Sequence, residues 1–273
     1  MFELCQLYGV SRSGYYKWKE RCGKQNRYER WQADLDRFVS DIHSHYPMMG
    51  YRQIRDTLQL QTGWKVCDVS VWRSMRRLCV LGYTRRSRPL PTKGMEHESH
   101  PNHLNRKFRT DKPFQKIVSD ITFIKHRGKW HYFSCFLDLF NNEIIEWQLS
   151  DKADNHLVIQ PAKRLLEQQR HVGGALLIHS DQGVQYRSSG YVALLNENGI
   201  LQSMSRAGVP KDNAVAESFI GRFKDVLRIH FRYWEHDNLH DVIAQAVYYF
   251  NHVRPIRKAN GKPPVPFRVE LTA

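Results

Sequence analysis

A basic, all-α amino-terminal region followed by an α/β core is the fold class that this sequence predicts. Apolar residues recur at three- and four-residue spacing through residue 79, the period of helices packed on one face. From residue 113 the pattern changes to alternation and short apolar runs, the mark of strands. Between them, residues 84–112 hold three prolines, few large aliphatics and many basic groups, the profile of an exposed linker.

Residues 4–18 read as a short helix, a turn at Gly9 and a second helix capped by Ser11, the outline of a helix-turn-helix. A basic helix follows to about residue 46, with Trp31, Leu35, Phe38, Val39 and Ile42 as its apolar stripe. A second helical pair occupies residues 47–83. Tyr51 to Leu58 forms one helix, Gly63 breaks it, and Ser70 to Cys79 forms the next. Val71, Met75, Leu78 and Cys79 are expected on its buried face, leaving Arg73, Arg76 and Arg77 outward with Arg85, Arg86 and Arg88 beyond.

The core reads as three strands, 116–124, 130–140 and 143–149, then a helix over 155–169, a buried strand 175–179, a helix over 191–198, a strand 200–203 and a helix bearing Glu217. This β-β-β-α-β-α-β-α order is the one used by ribonuclease H-like folds, although order alone names no function.

The chain carries 42 Lys and Arg against 27 Asp and Glu, a net +15, which points to a polyanionic partner. Residues 1–110 hold 21 basic and 10 acidic side chains, whereas residues 111–230 hold 15 and 13. The first part is therefore an electrostatic handle for nucleic acid, and the carboxylates collect in the core. Five cysteines, odd in number and without a Cys-x-x-Cys pair, suggest neither a disulfide framework nor a cysteine zinc site, and fit a reducing cytoplasm. His97, His100 and His103 recur every third residue but lack the cysteine or acidic partners of a zinc site. No apolar run approaches the ~18–20 residues that span a bilayer, so no membrane partner is expected.

Three acidic residues carry the chemistry. Asp120 lies within Ser119-Asp120-Ile121-Thr122-Phe123-Ile124, Asp181 within His179-Ser180-Asp181-Gln182-Gly183-Val184-Gln185-Tyr186, and Glu217 within Asp212-Asn213-Ala214-Val215-Ala216-Glu217-Ser218-Phe219, with 35 residues between the last two acids. Carboxylates converging at strand ends are natural holders for magnesium, a hard cation that prefers oxygen ligands. On a helical projection Ala216, Phe219, Ile220, Phe223, Val226 and Leu227 form the buried stripe. Asn213, Glu217, Gly221, Lys224 and Arg228 line its polar edge, with Asp212-Asn213 as the cap. Lys224, two turns beyond Glu217, is placed to hold a DNA phosphate. Asp138 is expected to accept backbone hydrogen bonds and is left out of the triad. Gln182 and Gly183 are expected to shape the loop after Asp181.

These strings, together with Tyr8-Gly9-Val10-Ser11-Arg12-Ser13-Gly14-Tyr15-Tyr16, Gly50-Tyr51-Arg52, Pro101-Asn102-His103-Leu104-Asn105-Arg106, Tyr248-Tyr249-Phe250-Asn251 and Arg254-Pro255, resemble the orfB-type transposases of the insertion-sequence-three family, in the retroviral-integrase-like Asp-Asp-Glu superfamily. The residues from Arg254 to Lys262 lack the His-x-x-Leu-Gly pattern common there.

The resemblance implies a ribonuclease H-like integrase catalytic core after an all-α helix-turn-helix region, with Asp120, Asp181 and Glu217 as catalytic ligands of two Mg2+ ions, Mn2+ able to substitute. Lys224 matches the basic residue two turns after the glutamate; from the helical projections and charge, Asn213 and Arg228 are expected to contact DNA with it, and Arg73, Arg76 and Arg77 from the amino-terminal half. The resemblance also implies nicking at element ends and attack of the 3′-hydroxyl on target DNA by a homo-oligomer. The upstream-frame protein is an expected fusion or partner, and a bacterial, nucleoid-associated location is expected. The expected divisions are a basic helical region 1–46, a helix-turn-helix-like DNA-binding region 47–90, a linker 91–112, the core 113–230 and a helical extension 231–273. A catalytically silent DNA-binding regulator and a ribonuclease H-like nuclease are the alternative functions.

Overall fold

The computed structural model describes residues 2–82, 100–167 and 176–272, and the chain forms two compact units, Met1–Tyr83 and Thr84–Ala273. Residues 83–99, which include Arg85, Arg86, Arg88 and His97 and the end of the expected 47–90 region, lie outside the described residues. So do the last two positions of the helix expected over 155–169.

The first unit is helical: α1 (Phe2–Leu7), α2 (Arg12–Arg21), α3 (Arg27–His45), α4 (Tyr51–Thr62) and α5 (Asp68–Arg77). Gly9 turns the chain at φ +62°, and Ser11 caps α2 by accepting a hydrogen bond from the Gly14 amide at 3.0 Å. Asn26 and Glu29 close a reciprocal capping box at the start of α3. Gly63 ends α4 in the left-handed region. Leu35, Val39, Ile42, Met49, Ile54, Leu58, Val71 and Met75 are the buried apolar set. Cys79 departs from the expected buried face. The helix ends at Arg77, Cys79 takes φ +55°, and its side chain is exposed.

The second unit is built on a five-stranded mixed sheet of β1 (Lys116–His126), β2 (Lys129–Asp138), β3 (Ile144–Ser150), β4 (Leu177–Ser180) and β5 (Leu201–Met204), in the order β3-β2-β1-β4-β5. The first three strands form an antiparallel meander, while β4 and β5 run parallel to β1. One face is covered by α6 (His156–Glu167) and α7 (Ser189–Glu197), where Ile117, Phe136, Leu157, Leu165, Ile178 and Leu195 share a core. Across the sheet, α8 (Ala214–Ile229) stacks Phe223 on Phe133 with ring centroids 4.9 Å apart. All six residues of its expected apolar stripe are buried. Each such side chain contributes roughly 1.5–3 kcal/mol of transfer free energy, so this stripe fixes the helix orientation.

Two stretches expected to stand apart from the core belong to it. Residues 100–112, within the expected linker, pack on β5: the Met204 amide donates to the Pro101 carbonyl at 3.3 Å, the Leu104 amide donates to Ser203 Oγ at 3.0 Å, and Leu104 is buried. Asn102 and Arg106 add hydrogen bonds to Asp212, so polar contacts and one buried leucine together hold the stretch. The carboxyl-terminal helices α9 (Leu239–Tyr248) and α10 (Pro264–Thr272) and the π-turn Tyr249–Val253 between them also close onto this unit. Phe250 meets Phe219 and Phe223 edge-on or tilted at 5.3 and 5.5 Å. Asn251 pairs with the backbone of Ile144 through two 2.9 Å hydrogen bonds, much as a neighbouring strand would. Arg164 donates to the Trp147 carbonyl on the same strand at 2.6 Å.

Candidate active site

Strand register brings the first two acids together. The last paired residues of β1 and β4 are Val118 and His179; beyond them the strands part. Asp120 and Asp181 each lie two residues further on, so both emerge where the parallel strands diverge at their carboxyl ends. That crevice is where open α/β sheets bind ligands. Asn213 Nδ2 donates to the Ser119 carbonyl at 3.3 Å, docking the start of α8 on the same opening and bringing Glu217 on its first turn.

The string around Asp181 is mostly scaffolding. His179 is buried between Ser203 Oγ and Ser205 Oγ at 2.8 and 3.2 Å, and burial lowers its pKa to about 4, so it is neutral at pH 7. Gln182 Nε2 donates to the Ser205 carbonyl at 3.0 Å. Gly183 donates its amide to Asp181 Oδ1 at 3.0 Å, and a Cβ there would sit 3.0 Å from that same oxygen. Tyr186 is fully buried with its hydroxyl 2.7 Å from Ser119 Oγ, latching the loop beneath the residue before Asp120. Asp181 itself is left exposed.

The three acids share an electrostatic environment. Burial raises the Asp120 pKa to about 7, with the negative charges of Asp181 and Glu217 adding to the rise and the Ile121 amide and Lys224 opposing it. Glu217 is exposed at the surface of α8, yet partial burial and then Asp181 raise its pKa also. Like charges held together in this way are the electrostatics of a cation site. The donor set is all carboxylate oxygen, which suits a hard cation. Among the described residues, no three His, Cys, Asp or Glu side chains are already gathered closely enough to enclose a metal ion.

The remaining sequence-predicted contacts divide. Lys224 lies along α8 from Glu217 with its ammonium 4.8 Å from the centre of the Phe123 ring. Arg228 is exposed, 4.0 Å from Asp225. Asn213 stands at the N-cap position of α8, but its side chain makes no capping hydrogen bond: it is buried, and its amide serves the Ser119 carbonyl rather than the surface expected of a DNA contact. Asp212 does not cap either. It is buried and accepts from Asn102, Arg106 and Arg206. Asp138 is fully buried and accepts from the Phe114 and Phe140 amides, each at 2.9 Å, as expected of a structural carboxylate. In the amino-terminal unit Arg73 and Arg76 are exposed, Arg76 lying over Trp72, while Arg77 is bound to Asp36 through Nε at 3.1 Å and Nη2 at 2.6 Å.

Two models of an integrase core domain match residues 110–210 and 198–264, the stretch that holds all three acids. The matched residues take in the whole five-stranded sheet and the helices that flank it. The chain is 32% identical over 270 residues to the putative transposase InsK for insertion sequence element IS150 of Escherichia coli K12, covering 97% of this chain and 92% of that protein. It is 28% identical to an uncharacterized 31 kDa protein of insertion element IS600 from Shigella sonnei, with 97% of each covered. Among solved structures, the integrase catalytic core of HTLV-2 aligns at 17% identity and a TM-score of 0.48, over 59% of this chain and 99% of that one. The fold and the matched core define an integrase-type protein. Within that class, the chain belongs to the insertion-sequence-three family of transposases.

Proposed function

We propose that this transposase is a divalent-metal-dependent enzyme that nicks the donor strand at the ends of its element and joins the freed 3′-hydroxyl to target DNA. The convergence of Asp120 and Asp181 at a strand divergence with Glu217 on the helix docked beside it, Asp181 adding to burial in raising the pKa of both of the others, carries the reading. Two Mg2+ ions, replaceable by Mn2+, would be held by these carboxylates and would neutralise the attacking and leaving oxygens of an in-line displacement. In nicking, water attacks the phosphorus and the 3′-oxygen leaves as a hydroxyl. In joining, that hydroxyl attacks a second phosphodiester and the target's own 3′-oxygen leaves. Asp120 is held by β1 and Asp181 by the latched loop, so the two would present fixed carboxylate oxygens to the metal ions, which would supply the positive charge that the phosphate needs. Glu217 closes the set from the exposed side.

DNA is the proposed partner, bound as element ends and as target by several copies of the chain, in the bacterial cytoplasm at the nucleoid. No helix among the described residues is long and apolar enough to cross a membrane. Arg73, Arg76 and Arg228 are placed to reach phosphates, and Arg77 would have to leave Asp36 to do so. An upstream-frame fusion is favoured by one relative: the probable transposase for IS1353 of Shigella flexneri matches 97% of this chain over only 51% of its own length.

Incubation with labelled terminal-inverted-repeat DNA and magnesium tests the assignment. The parent is expected to nick and join, and Asp181→Asn to do neither while still binding DNA. Equal cleavage by both proteins would overturn the triad. Binding without cleavage by the parent, on any end tried, would instead favour a silent regulator, and hydrolysis without joining a nuclease.

Lys224→Ala is expected to weaken binding of the DNA end by about 1.5–3 kcal/mol, the worth of one charge-assisted phosphate contact. Folding and metal affinity should stay near the parent's. Glu217→Gln should do the reverse, keeping end affinity and losing turnover. Gel-shift affinity and cleavage rate, measured on both variants, separate these roles; parental values for Lys224→Ala would make that lysine a surface residue only.

A further inference from the structure

The β1–β2 hairpin projects beyond the packed part of the sheet and carries an aromatic surface that the proposed chemistry does not use. Its two-residue turn is Arg127-Gly128, with φ of +48° and +81°, a pair of left-handed residues that matches the twist of a tight hairpin. On one face Thr122, Ile124, His126 and Phe133 are buried. On the other, Phe123 and Trp130 are 56% and 51% exposed although both are large and apolar. Cross-strand register puts Trp130 opposite Lys125 and diagonal to Phe123. The two rings meet edge to face at 5.2 Å, Lys125 lies 5.6 Å over Trp130, and Lys224 lies 4.8 Å over Phe123.

Two exposed rings with two ammonium groups form an alternating ledge of flat apolar and cationic surface. Lys224 ties it to the acid site, because the ammonium that rests on Phe123 comes from the same helix as Glu217, and Phe123 follows Asp120 by three residues on β1. An isolated exposed aromatic needs no explanation. Two in contact, each with a lysine on its face and beside a phosphodiester-cutting site, match the way unpaired nucleotides are held: bases stack on rings while cations take the phosphates.

We propose that the Phe123–Trp130 ledge binds unpaired nucleotides of DNA, stacking bases of a strand separated from its complement beside the acid site. The inference rests on the proposed transposase reading and adds to it a preference for opened over fully paired DNA. Thr122 and Phe133 anchor the hairpin from below, so the ledge is a rigid platform.

The test compares the full chain with Phe123→Leu/Trp130→Leu, which keeps apolar bulk and loses the aromatic faces, and with Trp130→Phe, which keeps them. The probes are a fluorescently labelled oligothymidylate and an abasic oligonucleotide of the same length and charge, read by anisotropy. The parent is expected to prefer the base-bearing strand by on the order of tenfold per ring. Trp130→Phe should keep most of that preference. The double leucine variant should bind both probes alike, with the abasic affinity and the salt dependence of the parent. Equal affinity of the parent for the two probes, or an undiminished preference in the double leucine variant, overturns the ledge. Asp181→Asn, cutting like the parent while the ledge variants behave as described, would sink the cleavage chemistry and leave the ledge standing.

Discussion

Asp120→Asn will melt higher than the parent in chelator-containing buffer at pH 8, by about 5–10 °C, and will not cleave DNA ends. An unfolded aspartate titrates near 3.9, whereas burial and two neighbouring carboxylates raise Asp120 to about 7 in the folded chain. Between those values the folded state holds the extra proton, so stability falls as pH rises from about 4 to about 7, and the whole penalty stands above 7. Asparagine keeps the acceptor for the Ile121 amide, which lies 2.9 Å from Asp120 Oδ1, and removes the charge. Below about pH 4 the carboxyl is protonated in both states, and the two proteins should melt together. Adding magnesium at pH 8 should raise the parent and leave the variant where it is. Calorimetry at the two pH values decides the point; identical melting at pH 8 would mean that the three acids do not strain the fold.

Asp212→Ala is expected to destabilise the second unit by about 1–3 kcal/mol, the cost of taking a buried acceptor from its donors, held down because the two arginines left behind are nearly half exposed to water. The carboxylate is fully buried and accepts from Asn102 Nδ2 at 2.9 Å, Arg106 Nε at 2.7 Å, and Arg206 Nε and Nη2 at 2.8 and 3.0 Å. Hydrogen bonds from the Arg206 side chain, then those from Arg106, hold its pKa well below the usual carboxylate range. A depressed aspartate stabilises fully above its unfolded value, and that contribution is lost as pH falls from about 4 toward the folded value. Acid sensitivity below pH 4 should therefore weaken in the variant. Urea unfolding measures both effects. A midpoint equal to the parent's at pH 7 would show that the arginines find water as good a partner.

The three candidate acids could be picked out because each stands in a local pattern: Asp120 in an alternating strand, Asp181 at the end of a short apolar run, Glu217 beside an apolar helical stripe. The buried stripe of α8 follows from the 3.6-residue period alone. What stayed hidden depends on distance in sequence. Asp212 looked like a helix cap because its three partners sit at 102, 106 and 206, and only the fold brings those together. Asn213 looked outward for the same reason: its true partner is a backbone carbonyl at Ser119. Residues 100–112 read as linker because composition weighs side chains, whereas much of what holds them is hydrogen bonding through the Met204 and Leu104 amides. Phe123 and Trp130 passed as ordinary strand residues, since alternation says which residues share a face and not which face is left uncovered.

The two margins of the sheet have a bearing on how many copies of this chain can coexist on one DNA. A strand margin with idle amides and carbonyls is a template for the next molecule's strand, and crowding sharpens that danger. Here the Met204 amide on the β5 margin is taken by the Pro101 carbonyl, and backbone groups of Ile144 and Trp147 on the β3 margin by the Asn251 carboxamide and the Arg164 guanidinium. These contacts use up margin groups that a further strand would need, so they oppose sheet-to-sheet growth between copies of the chain and leave side-chain surfaces to set how copies would meet.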